Sequence, residues 1–337
     1  DKAEGVYRDL IDKEGTEPDG LKAQADLARL MISLGRINEA RELIAGVLNE
    51  NPKDAQALLL RGRLAMQDKV YTDAIADFRS VLKDQPDSVD VLTLLAAAHQ
   101  ANGEKELALE NLARAVEAEP DNLDVWMRYA KFLANDGQLK RASEQLDAAL
   151  EVDPEYVQAL QAKAEILARQ GNAGDLEEVL SRLEEASPET GLGAFGKGRL
   201  YKEQKRYDDA IAAFEGALAR EPDSILALTE VVNAEIAKGD PDSAIRRLKA
   251  VLEKDPEHRI AHDLLGIAYM AKQDYVSAEA EFVKQSEVNA KSSIVYTQIA
   301  AARARQGNLD GAEQAFKQGL GELPDDERLL AGLAGLY

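Results

Sequence analysis

The chain has 337 residues, no cysteine and a formal charge of −21. That charge argues against non-specific attraction to nucleic acid or anionic membrane, and the missing thiols exclude disulfides, thiolate catalysis and cysteine-ligated metals. No run of about 20 apolar residues occurs, so no segment is expected to insert in a bilayer. Alanine and leucine are abundant and aromatics make up only 5% of the residues, a mix suited to closely packed helices.

Nine of the ten prolines fall on a 34-residue spacing: Pro18, Pro52, Pro86, Pro120, Pro154, Pro188, Pro222, Pro256 and Pro324. Ala290 fills the missed mark, and Pro241 stands off the spacing. A period of this length without insertions predicts stacked helical hairpins, each touching its neighbours. In chain order, residues 1–20 read as the second helix and turn of a truncated repeat. Residues 21–326 read as nine units of 34 residues, starting at 21, 55, 89, 123, 157, 191, 225, 259 and 293. Residues 327–337 read as the first helix of a truncated tenth unit. Leu330 and Leu333 are left without the helix they should pack against. The expectation is a piece of a longer array, or ends that pack on something else, including a second copy.

Within the units, position 20 is alanine in eight of nine (Ala40, Ala74, Ala108, Ala142, Ala210, Ala244, Ala278, Ala312), with Leu176 the exception. Position 8 is small in nearly every unit, and position 24 is large and apolar, as in Ile44, Phe78, Leu146 and Phe214. Small residues let two antiparallel helices approach, and the bulky residue fills the gap beside them. Position 15 is glycine in six units, as a left-handed residue closing the first helix requires. Position 34 offers an N-cap in Asp54, Ser88, Asn122, Thr190, Ser224, Ser292 and Asp326.

These columns resemble the tetratricopeptide repeat, W-x2-L-G-x2-Y, A-x3-F, P. Unit 259–292 shows it as Leu265-Gly266-x2-Tyr269 followed by Ala278-x3-Phe282, and unit 123–156 supplies Trp126 and Pro154. The resemblance covers essentially the whole chain. It implies an all-α fold: a right-handed superhelical solenoid of antiparallel helix pairs, serving as a non-enzymatic scaffold for protein partners.

The pattern breaks at residues 172–198. Leu176 replaces the alanine, and the next helix opens Gly191-Leu192-Gly193-Ala194-Phe195-Gly196-Lys197-Gly198. Glycine weakens a helix interior, so this stretch is expected to bend or flex. It also matches G-x-G-x-x-G, but a helix and Pro188 precede it where a nucleotide site needs a strand, which favours a helix in register. His258 and His262 have a helical spacing usable by a metal, yet His258 falls at an N-cap position and no third ligand is fixed. His99 falls at a buried position. No cofactor and no catalytic group are expected.

In the family the first helices line the concave surface, with positions 2, 5, 9, 12 and 13 facing inward. Along this face lie Arg29, Arg63, Lys131 and Arg199 at position 9, with Lys22, Arg128 and Lys202 extending the row. Beyond residue 225 the face turns apolar, through Leu226, Ile236, Ile260, Ile267, Met270 and Ile294. The resulting expectation is a groove, basic then apolar, for an extended or helical acidic-amphipathic segment. The competing reading is that the cations only balance neighbouring acidic helices. The family's chaperone-tail binders pair a lysine at position 5 with an asparagine at position 9 of one unit; no unit here has lysine at position 5, so that clamp is absent.

The alanine-rich units with Asp/Glu-Pro-Asp/Glu turns are similar to bacterial arrays in exopolysaccharide secretion, including exosortase-associated lipoproteins. That similarity implies a periplasmic or membrane-associated location. A second implied reading is a substrate-recruiting arm of an enzyme, such as a glycosyltransferase, whose catalytic domain lies outside this chain.

Overall fold

The computed structural model describes residues 2–336; Asp1 and Tyr337, the outermost residues of the two expected terminal fragments, lie outside the described residues. Among the described residues there are twenty α-helices and no strand. They form two compact units, residues 1–170 and 171–337. The first contains α1 (Lys2–Glu14), α2 (Pro18–Ser33), α3 (Ile37–Glu50), α4 (Ala55–Gln67), α5 (Tyr71–Asp84), α6 (Val89–Ala101), α7 (Lys105–Ala118), α8 (Leu123–Asn135), α9 (Leu139–Val152) and α10 (Val157–Gln170). The second contains α11 (Ala173–Ala186), α12 (Leu192–Glu203), α13 (Tyr207–Arg220), α14 (Ile225–Lys238), α15 (Pro241–Lys254), α16 (Arg259–Lys272), α17 (Tyr275–Val288), α18 (Ser293–Arg305), α19 (Leu309–Glu322) and α20 (Glu327–Ala334).

The turns carry the period in the backbone itself. Position 15 has positive φ in every repeat: at Gly35, Gly103, Gly137, Gly171, Gly239 and Gly307, and also at Lys69, Lys205 and Gln273. A Cβ added at any of those six glycines would meet nothing within 4 Å, so the left-handed conformation alone selects glycine there. The two lysines and the glutamine adopt it under strain. Replacing Lys69, Lys205 or Gln273 by glycine is expected to stabilise the chain by about 0.5–1 kcal/mol each, read as a rise in urea midpoint.

Packing follows the small-against-large columns. The eight position-20 alanines are fully buried, and position 24 is at most 6% exposed throughout. Positions 8 and 24 are linked in three of the four units with phenylalanine at 24; the fourth has Ala300 with Phe316, whose ring meets Gly332 instead. Gly62 faces Phe78 and Gly198 faces Phe214, and a Cβ at either glycine would lie 2.5 Å from the ring; Gly266 is held as tightly by Phe282. Where position 24 is leucine, alanine fits, as in Ala96 with Leu112 and Ala130 with Leu146. Trp126 explains its column as well: its indole N–H donates to the Pro120 carbonyl at 2.8 Å, tying the first helix to the preceding proline turn. His262 takes the same place in its unit, Nε2 donating to the Pro256 carbonyl at 2.9 Å.

Several expectations need correction. α2 begins at Pro18 rather than residue 21, because proline at the first helical position already has the helical φ. Of the seven expected caps, Asp54, Ser224 and Asp326 accept a backbone N–H from their side chains, whereas Ser88, Asn122 and Ser292 do not. Thr190 turns its hydroxyl to the Ser187 carbonyl instead. His258 does cap α16 through Nδ1. A second set of caps, at position 16, escapes the column reading: Asn172, Asp240, Asp274 and Asn308.

The glycine-rich stretch is a regular part of α12, and its glycines are packing devices. A Cβ at Gly193 would lie 2.6 Å from the Glu184 nitrogen and 2.7 Å from the Leu180 carbonyl oxygen, so α12 rests directly on the backbone of α11. Glu184 locks this crossing, accepting from Lys197 of α12 at 3.0 Å and Arg220 of α13 at 2.7 Å. Burial pushes its carboxyl pKa up, but Lys197 and Arg220 outweigh that and hold it below its ordinary 4.5. The folded-state value being lower than the unfolded one, the contribution is complete above about pH 4.5 and disappears as the pH falls through the folded value. In Glu184→Gln, acid unfolding of this unit is therefore expected to lose part of its pH dependence below that point.

Candidate functional site

Position 9 is exposed on the first helices from α2 through α14 and again in α18. The structure sorts the cations expected along this face into two classes. Arg29 is paired with Asp26 at 2.7 Å, and that carboxylate also accepts from Gln56. Lys202 is paired with Glu230. For these two the charge-balancing reading holds. Arg63, Arg128, Lys131 and Arg199 are exposed and form no ion pair with any described residue.

Arg128 and Lys131 are the two that the fold brings together. Both project from α8 into a cavity of about 640 Å³ between α8 and α10, with Met127, Ala130, Ala162 and Ile166 as its apolar lining. On the other side of α8, the same two side chains wall a smaller cavity of about 170 Å³ against Ala97 and Gln100 of α6. A pair of unneutralised cations thus stands on a ridge between two clefts. Arg169, at the inward position 13 of α10, lines the larger cleft and adds a third cation. The column reading named its position but passed over the residue. Asp124 and Glu165 share the cleft, so an incoming acidic group is steered to one side of it. Arg63 on α4 lies outside both cavities.

Arg199, Lys202 and the apolar residues belong to the second unit. Leu226 is 68% exposed and Ile294 51% exposed. Ile236, Ile260, Ile267 and Met270 are half-buried and pack against the core clusters of this unit. The exposed apolar part of the face is therefore narrower than expected, because four of its six residues are shared with the interior.

A family model described as tetratricopeptide repeat protein 21 N-terminal ARM repeat matches residues 35–245. The chain belongs to this tetratricopeptide-repeat family. Two further tetratricopeptide-repeat models match residues 1–64 and 232–293. Among curated proteins, ER membrane protein complex subunit 2-A of Xenopus laevis is 26% identical over 140 residues, covering 42% of this chain and 47% of the relative. The chain thus spans about half the length of the curated relatives it matches. Among solved structures, the C-terminal part of a TPR repeat-containing protein from Cytophaga hutchinsonii aligns with TM-score 0.50 and 15% identity, over 81% of this chain and 98% of that one. The structure of Naa15/Naa10 bound to HypK-THB aligns with TM-score 0.52 and 16% identity, over 100% of this chain and 66% of that one. At such identities the likeness is one of fold.

Families of this repeat are generally non-catalytic scaffolds, and the fold suggests a protein-interaction role. Among the described residues no helix is long and apolar enough to cross a membrane.

Proposed function

We propose that this scaffold holds acidic-amphipathic partner segments, extended or helical, against its first-helix face, with Arg128 and Lys131 as the principal anchors. The observation that carries the reading is that neither forms an ion pair within a chain of charge −21, although Asp124 and Glu165 line the same partly apolar cleft. Uncompensated cations at a cleft mouth raise the on-rate for acidic partners, and the apolar floor holds what arrives. Arg63 and Arg169 extend the basic part; Arg199, Leu226, Ile267 and Met270 supply contacts on the second unit's face.

The test is fluorescence anisotropy with a helical peptide built of leucine and glutamate. The double charge reversal R128E/K131E is expected to weaken binding by about 10–100-fold and to flatten its salt dependence. R29E, at a cation already satisfied by Asp26, is expected to change affinity less. Equal affinity of R128E/K131E and the unaltered chain would reject the site.

As the setting, we infer bacterial exopolysaccharide synthesis or export, at the periplasmic side or the membrane. Support comes from the repeat style, with its alanine-rich units and turns such as Glu119-Pro120-Asp121 and Asp255-Pro256-Glu257. Removal of the gene should then abolish polymer export while leaving growth intact; normal export would overturn this setting and leave the docking face untouched.

A further inference from the structure

A third cavity, of about 910 Å³, lies within residues 171–337 between the second helices α13 and α15, away from the face described above. α14 forms its floor through Leu228 and Glu235, while Ile211 and Leu218 of α13 and Val251 of α15 provide apolar walls. Position 11 accounts for part of the opening. The flanking units carry Tyr201 and Tyr269 there, and this one carries the smaller Glu235.

Glu235 is 3% exposed. Its Oε1 accepts from Nε and Nη2 of Arg247 at 3.1 and 2.7 Å, while Oε2 is closed to solvent and has no hydrogen-bond partner. Arg247 is shared, since Nη2 also donates to Glu215 on α13. One guanidinium therefore serves two carboxylates and leaves surplus negative charge, of which the idle oxygen is the chemical mark. At the rim Asp208 is matched by Lys238 at 2.6 Å. Over the whole lining, six carboxylates face four cations.

The geometry points to this cleft as a docking groove for a basic amphipathic helix of a partner protein. Its apolar side would lie on Ile211, Leu218 and Val251, with a lysine or arginine beside Glu215 and Glu235. A second copy of this chain is disfavoured by its own charge of −21. The groove's sign is opposite to that of the α8 ridge, so the two faces select different partners.

The experiment is a titration of the methyl-labelled full chain with a helical peptide of leucine and lysine, and separately with its leucine–glutamate counterpart. The lysine peptide is expected to shift the methyl signals of Ile211, Leu218 and Val251 saturably, and the glutamate peptide is not. Ala250 is exposed on the groove wall, so A250W blocks the cleft without entering the core and is expected to weaken the lysine peptide about tenfold or more. E215K, at a half-exposed rim site, provides the same readout by repulsion should the indole disturb folding. Unmoved groove methyls, equal shifts from both peptides, or unweakened binding to a folded A250W or E215K chain would overturn the proposal. The methyls of Ile267 and Met270 report on the first-helix face, so a failure there is read separately.

Discussion

Gly193→Val is expected to destabilise residues 171–337 by about 3 kcal/mol, the upper end of overpacking costs, seen as a lower urea midpoint with helicity retained in water. The reason is what stands opposite. The added carbons would meet the Glu184 nitrogen and the Leu180 carbonyl at 2.6 and 2.7 Å, and main-chain atoms cannot step aside as a side chain can. Relief requires α11 and α12 to separate, which also loosens the Glu184 contacts to Lys197 and Arg220. Gly196 provides the contrast in the same helix. The three atoms nearest to a Cβ there all belong to the Leu180 side chain, whose methyl can rotate away. Gly196→Ala is accordingly expected to be near neutral, the helix-propensity gain offsetting the crowding. Equal effects at the two sites would mean that the α11–α12 crossing is looser than described.

Arg247→Ala is expected to cost about 3–5 kcal/mol, because it strands the buried Glu235 carboxylate with no partner for either oxygen. Loss of the contact to the half-exposed Glu215 contributes little by comparison. The double variant R247M/E235L tests the mechanism, since removing both charges eliminates the uncompensated ion. It is expected to recover most of the lost stability, whereas additive losses would show that packing of the arginine stem dominates. Thermal unfolding of the unaltered chain, R247M, E235L and R247M/E235L in parallel completes the cycle.

The helical hairpins were legible because three kinds of side chain recur at fixed spacing for steric reasons. Prolines stop the second helices, position-15 glycines reverse the chain, and position-20 alanines let helices touch. The tendency of glycine at position 8 to accompany phenylalanine at 24 was also present in the columns, broken at Ala300 and Phe316, and is found only by reading the two together. Other features leave no such mark. Lys69, Lys205 and Gln273 adopt the glycine conformation because the flanking helices impose it, overriding local preference. The glycines of α12 look like helix breakers until α11 is seen lying against them. Of the candidate site, the row of cations could be read from position 9, but their pairing could not. Asp26 lies three residues from Arg29 and neutralises it, whereas Asp124, four residues before Arg128 on the same helix, forms no ion pair with it. Ile236 and Ile267 were expected on the docking face, and the core partly claims them, since a half-buried isoleucine and an exposed one share the same spacing.

Hydrogen–deuterium exchange of the full chain, with and without the leucine–glutamate helical peptide, asks most directly whether the first-helix ridge is the docking surface. Protection is predicted to concentrate in Leu123–Asn135 and Val157–Gln170 and to vanish in R128E/K131E. Protection centred instead on Leu139–Val152, or unchanged by the double reversal, would contradict it.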